Sequence, residues 1–433
     1  MTGLETPENA VECPPEPKKG DRVPRIPLIL FIALVSVAFA MVWFTCLSFL
    51  NTAFWKNEFV IANRWMIPVG VLFFSLLVGL CGKYLRAPNV IHGGMEVVLK
   101  GGNLDYTIFP GTLLTSFFSL LSGAAVGPEA PLTFLVAQIA EWVGVKIKLA
   151  EETKFGFFMA ALASAFNGLF GNPLFAALFA TELQGNKGSI RFLAWNLVAG
   201  VIGYMCFALI GFPAFASSMT LAPANVITLT YALLAIALGA IGALLAMFVG
   251  LSFKGIGKIM DRVFKDRFME RIMTAGVIIA IVVYFVPEVM FSGESEIHAI
   301  AANPAAYGVL VLLGFAILKV LLLALSFKSG YLGGPIFPTI FAATTVGLAI
   351  SLLFPGVPVG LFVTCIVTAA IALGLGAPLT AILLTVTMMT STTYELGYIG
   401  LATATALIIG AAFKERMSRR DAPQSDFAVD GTT

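Results

Sequence analysis

Residues 127–131 read Gly127-Pro128-Glu129-Ala130-Pro131, and residues 334–338 read Gly334-Pro335-Ile336-Phe337-Pro338, the same Gly-Pro-x-x-Pro spacing 207 positions later. Two further matches keep nearly that offset. Asn172-Pro173-Leu174-Phe175-Ala176-Ala177-Leu178 resembles Ala377-Pro378-Leu379-Thr380-Ala381-Ile382-Leu383 at 205 residues, and Ile91-His92 recurs as Ile297-His298 at 206. One such match means little in an apolar chain. Three in order at one offset divide it into two membrane repeats, residues 26–223 and 224–413.

The solvent for those repeats is lipid. Of 433 residues, 59% are hydrophobic and 12% charged, about half the charged share of a soluble domain. Mean hydropathy is +0.94. Lys and Arg (26) nearly balance Asp and Glu (24), which leaves no basic stripe for nucleic acid. Residues 1–25, rich in Pro, Glu and Lys, read as a disordered tail. The apolar run 27–50 is too long for a signal-peptide core and reads as a first membrane helix. Residues 414–433 form a second, short tail.

Basic residues cluster at Lys18, Lys19, Arg22 and Arg25, at Lys254, Lys258, Arg262, Lys265, Arg267 and Arg271, and at Lys414, Arg416, Arg419 and Arg420. The positive-inside rule places all three clusters in the cytoplasm, so both termini are inside and the number of crossings is even. The middle cluster reads as a solvated amphipathic linker. Runs 226–251 and 272–291 reach the roughly 20 residues a spanning helix needs. Those after Pro110 and Pro358 are broken by Gly and Pro after about a dozen, and helices that short survive in a membrane only where protein or a water-filled cavity satisfies their ends.

Catalytic constellations are missing. The five cysteines are scattered, two histidines cannot make a zinc site alone, and no phosphate loop or nucleophile elbow occurs. With no Ser–His pair, paired Asp or metal cluster in the apolar runs, the chain reads as a non-enzyme with neither cofactor nor metal. Interrupted segments at matching places in two halves point instead to transport. Pro131 and Pro338 suit the first turn of a helix. Each motif then leaves free N–H groups and a positive helix end inside the membrane. If the repeats are inverted, the two ends meet near the midplane and form an anion site from backbone alone. Gly127, Ala130, Ile336 and Phe337 are the expected backbone contributors.

At these residues the chain resembles the CLC family of chloride channels and proton-coupled chloride exchangers. Residues 127–131 match the family's Gly-x-Glu-x-Pro motif, and residues 334–338 look like its Gly-x-Phe-x-Pro motif with Phe337 one place late. Lys319 with Ser329-Gly330, then Phe166-Asn167 and Pro173 to Glu182, resemble further family segments. The resemblance implies an all-α multipass protein of the cell membrane, with an inverted repeat and broken, re-entrant helices. It also implies a homodimer with one pore per subunit and bound chloride as the ligand. Departures are visible too. The family's inner-gate serine loop aligns with Asn89-Val90-Ile91-His92-Gly93, without a serine. The second glutamate of the family's pair falls on Leu183, no tyrosine follows Tyr398, and Pro128 replaces the arginine of the first motif.

The resemblance makes Glu129 a gate whose carboxylate occupies the anion's place and vacates it when protonated. The plain alternative is an acidic residue stabilising its own helix. Glu182 reads as an internal proton relay or as an interfacial residue. Lys319 reads as a snorkelling or internally paired lysine, and His92 and His298 as packed or interfacial residues rather than ligands. These readings make the chain a transporter of chloride or a similar small anion, exchanged for protons. A passive anion channel is the alternative, favoured by Leu183, and an organic-solute transporter shares the same architecture.

Overall fold

Apolar segments in lipid must satisfy their backbone groups internally, and helices do so residue by residue. The computed structural model describes residues 26–85, 104–184, 190–216, 219–265, 267–389 and 391–421. The first half contains α1 (Ile26–Trp55), α2 (Met66–Tyr84), α3 (Phe109–Leu121), α4 (Glu129–Lys146), α5 (Glu151–Ala165), α6 (Phe175–Gln184) and α7 (Ile190–Ile210). The second contains α8 (Leu229–Phe264), α9 (Phe268–Phe285), α10 (Glu294–Ala302), α11 (Gly308–Ser329), α12 (Ile336–Ser351), α13 (Val359–Leu375), α14 (Pro378–Met388) and α15 (Thr393–Asp421). Among the described residues no strand forms beyond one isolated bridge. Seven helices there are long and apolar enough to cross a membrane: α1, α2, α7, α8, α9, α11 and α15. The interrupted runs appear as the shorter apolar helices α3, α12, α13 and α14.

The repeat is carried by packing as well as order. In the first half α5 packs on α1, α4 and α7; in the second, α13 packs on the counterparts α8, α12 and α15. Equivalent helices also meet across the halves, and they run antiparallel. Along α2 and α9, Gly276 sits against Ser75, Gly79 against Met269, and Gly82 against Phe268. In α6 and α14, Glu182 near the end of one bonds Leu379 and Thr380 at the start of the other. Conversely, Asn172, just before α6, donates to Thr387 Oγ1 near the end of α14 at 2.7 Å. Equivalent helices related by an axis along their length would run parallel. Antiparallel contacts therefore put the pseudo-two-fold across the helices, which is an inverted repeat.

Two boundaries differ from the sequence reading. The expected linker at 254–271 falls on the last turns of α8 and the first of α9, with Arg271 paired to Asp261 at 2.9 Å. Beyond Phe413 the apolar run ends but α15 continues to Asp421. Lys, Arg and Glu are good helix formers, so hydropathy changes there without a change of backbone state.

Candidate anion and proton site

The loops leading into α4 and α12 meet head-on. Gly127 N–H donates to Gly334 O at 2.8 Å, and Gly334 N–H donates to Gly127 O at 2.7 Å. Pro128 and Pro335 follow and cap the two helices, whose third residues are Pro131 and Pro338. A proline there removes an N–H that no carbonyl within the helix could accept. The glycines are needed for space, because a Cβ on either would run into the Glu129 carboxylate.

Glu129 opens α4 and is 3% exposed. Its side chain turns across the bridge to the start of α12, where Ile336 N–H donates to Oε1 at 2.6 Å. The backbone N–H groups of Phe337 and of Glu129 itself also face the carboxylate. Glu129 Oε2 is buried and has no donor among the described residues. A negative group thus lies where helix starts from both repeats converge, the place those dipoles favour for any anion.

The Phe337 ring is walled in. It stacks on Phe170 with ring centres 5.5 Å apart and meets Phe215 edge-on at 5.2 Å. Phe170 in turn contacts Phe175 at the start of α6. These rings surround the residue whose N–H faces the carboxylate.

Lys319 supports the site from behind. It is fully buried in α11, and Nζ donates to the carbonyls of Val289, Met290 and Phe291 at 2.8–3.0 Å. It also lies 4.5 Å from the centre of the Phe341 ring. Phe291 N–H donates to Gly123 O at 3.3 Å, which connects the clamp to the loop carrying Gly127. Pairing within the bundle, one of the two plain readings of Lys319, is what the structure shows.

Of the residues singled out in the sequence, Glu129, Ile336 and Phe337 come together, with Ala130 beside them in the first turn of α4. Gly127 is a correction: its N–H is taken by Gly334 O and is not free to act as a donor to another group. Asn89, Val90 and His92 lie outside the described residues. Glu182 belongs to another junction, where Oε1 accepts from Leu379 N–H and Oε2 from Thr380 N–H, both at 2.7 Å, so that it caps α14. Tyr398 is likewise structural, its hydroxyl accepting from Thr228 N–H and donating to Val226 O at the start of α8. Sequence reasoning missed Phe170 and Phe215, which carry no local signal in a chain with 37 phenylalanines. The clamp of Lys319 did carry one: a lysine in the middle of a 22-residue apolar helix, well away from Lys328 in the last turn.

Inverted halves whose broken helices converge on a buried carboxylate define a membrane transport protein of the repeat-built class. Residues 71–411 match the voltage gated chloride channel (CLC) family, and the chain belongs to it. It is similar to the ion-transport protein YfeO of Escherichia coli O1:K1, at 25% identity over 307 residues, 69% of this chain and 71% of that one. YfeO of Escherichia fergusonii matches at 25% over 310 residues, covering 70% and 71%. Among solved structures, a slow cyanobacterial Cl−/H+ antiporter superposes with a TM-score of 0.77 at 19% identity, over 92% of this chain and 98% of that one. A CLC-type fluoride/proton antiporter superposes with 0.73 at 21%, over 89% and 95%. At these identities the structural likeness is one of fold.

Proposed function

We propose that this protein carries chloride or a similar small anion across the cell membrane in exchange for protons, with Glu129 as the gate and outer proton-binding group. The observation that carries the reading is the Glu129 carboxylate seated on Ile336 N–H, where two helix starts offer their donors. A carboxylate and a halide compete for the same donors, so one excludes the other. Protonation removes the charge that holds the side chain there, and the vacated donors then take the anion. Transport of anion and proton become alternating uses of one place.

Both solved relatives named above are proton-coupled antiporters, which supports coupling. Glu182 is the inner proton acceptor in this proposal, being a partly exposed carboxylate near the end of α6. The basic clusters orient the chain with both termini in the cytoplasm, and the working unit is a homodimer with chloride bound in each subunit. The test is a reversal-potential measurement on reconstituted protein under opposed chloride and proton gradients. A potential that follows both gradients supports exchange, and one that follows chloride alone overturns the coupling.

A further inference from the structure

A second constellation of polar groups borders the same centre. Between α10, α12, the end of α14 and the segment at Met219 lies a narrow cavity of about 20 Å³, room for about one water. Its wall includes Glu294 and His298 of α10, Phe337 and Phe341 of α12, and Met219 and Met388. Exposure falls along it. The side chains of His298 and Glu294 are 33% and 16% exposed, whereas Phe337 is 2% exposed. The cavity therefore runs from the partly exposed His298 to the buried Phe337. Phe337 is shared by two sites: its ring borders the cavity, and its N–H faces the Glu129 carboxylate.

Glu294 and His298 stand one helical turn apart, with His298 Nε2 3.7 Å from Glu294 Oε1. Each imidazole nitrogen can carry or accept a proton, and a carboxylate one turn away offers that proton a second acceptor. The surrounding elements bring no competing charge, since α12, α14 and residues 211–228 contain no Asp, Glu, Lys, Arg or His. Glu296, also on α10, and Lys319 of α11 interact by charge. Lys319 is committed to its three carbonyls. The pair stands beyond the C-terminal end of α9, while the basic cluster at 254–271 stands at the other end of that helix.

We propose that the Glu294–His298 pair is the proton-loading station for Glu129 on the side of the membrane opposite the basic cluster. This rests on the reading of Glu129 as a proton-binding gate. A proton leaves His298 Nε2 directly or through Glu294, crosses the cavity on water, and is taken up by Glu129 Oε2 as that side chain swings past the Phe337 ring. His298 then takes a proton from bulk water, so the station is restored and one proton has moved inward. Neither residue touches the anion, and both are positioning and relay groups.

The experiment uses the full chain in liposomes, with chloride efflux and proton uptake followed as pH is varied on each side in turn. Five proteins are compared: wild type, His298→Gln, Glu129→Gln, the double variant and Glu294→Gln, which is a second probe of the pair and should behave as His298→Gln does. We expect His298→Gln to slow proton uptake by at least about tenfold, a conservative figure for losing a proton-transfer group. It should also move the pH profile of chloride efflux on one side only. In the Glu129→Gln background the same substitution should change nothing, because the station acts only through Glu129. A purely structural role would lower efflux equally in both backgrounds, and that result overturns the proposal. So does a His298→Gln protein with wild-type proton uptake and pH profile, while Glu129→Gln still abolishes both. If wild-type efflux depends on pH on neither side, the gate reading fails first and the station with it.

Discussion

Glu129 and Ile336 occupy the same position in the two repeats, 207 residues apart, and are joined by a single hydrogen bond from Ile336 N–H to Glu129 Oε1. Beside them Gly127 and Gly334, also equivalent, exchange both of their backbone hydrogen bonds in an antiparallel bridge. A local two-fold axis therefore passes between the two motifs. The side chains break the symmetry. One half supplies an acid and the other an apolar residue, so the donors of the apolar half are left facing the acid of its partner. Two acids at these places would repel each other, and two apolar residues would leave the donors to the anion at every pH.

The bridge makes Gly334 the most sensitive backbone position at the centre. A methyl group on Gly334 would run into the Glu129 carboxylate. Gly334→Ala should lower stability by about 1–3 kcal/mol, the usual range for overpacking a tight site. It should also push Glu129 off Ile336 N–H. Thermal unfolding in detergent reads the first effect, and a flattened pH profile of chloride efflux reads the second. A variant with wild-type melting and wild-type pH dependence contradicts the contact.

Selectivity follows from donors made of backbone N–H groups at helix starts, which attract anions and repel cations. Vesicles loaded with potassium chloride should hold both ions while no independent potassium path is present, and release chloride once such a path is added to compensate the charge. Release of both ions without that added path would mean that the protein itself passes potassium, and would rule out this site as the route.

How much of this was legible in the sequence depends on the range of the interaction. The half-length helices could be read from the Gly and Pro that interrupt the runs after Pro110 and Pro358, because proline fixes its own φ and removes a donor, while glycine frees the backbone to leave the helix. The antiparallel relation of the halves followed from the offset only as a condition, and needed contacts such as Gly79 with Met269 to become a fact. Gly127 was misjudged because its N–H is taken by a residue 207 positions away. Glu182 shows the same blindness. Its carboxylate caps a helix in the other repeat, and no local pattern announces a cap supplied from so far along the chain.

Lys319 should behave as a structural clamp. Lys319→Met keeps the length of the side chain but leaves the carbonyls of Val289, Met290 and Phe291 without the donor they share. Each buried carbonyl left unsatisfied costs about 1–3 kcal/mol, so the total loss should exceed about 3 kcal/mol. A drop in melting temperature with lower yield is expected. Unchanged stability would mean that the segment at residues 289–291 finds other donors.

Glu182→Gln separates two roles of one carboxylate. As the cap of α14, the residue loses charge-assisted bonds to Leu379 and Thr380, and stability should fall by about 1–2 kcal/mol. As the inner proton acceptor, it should also lose chloride-driven proton movement while chloride still flows. Lower stability with full proton coupling would leave the cap and remove the relay.

Glu129→Gln tests the gate itself. The substitution removes the charge at nearly constant shape and so resembles the protonated side chain. The sign of the pH effect is fixed by competition. As pH falls, the carboxylate is neutralised, its hold on Ile336 N–H weakens, and the donors become available to the anion. Wild-type chloride efflux should therefore rise as pH falls on the side that reaches Glu129, and decline as pH rises. In Glu129→Gln there is no carboxylate to titrate, so efflux should equal or exceed the wild-type rate at low pH and stay flat across the range. Proton uptake driven by a chloride gradient should vanish, because the motif holds no other acid. Glu129→Asp is the complementary probe. It keeps the charge but shortens the reach by one methylene, so the carboxylate should sit less firmly on Ile336 N–H and efflux at high pH should exceed that of wild type. If Glu129→Gln retains both its pH dependence and its proton movement, the carboxylate on Ile336 N–H is a helix-stabilising contact, and the gate lies elsewhere.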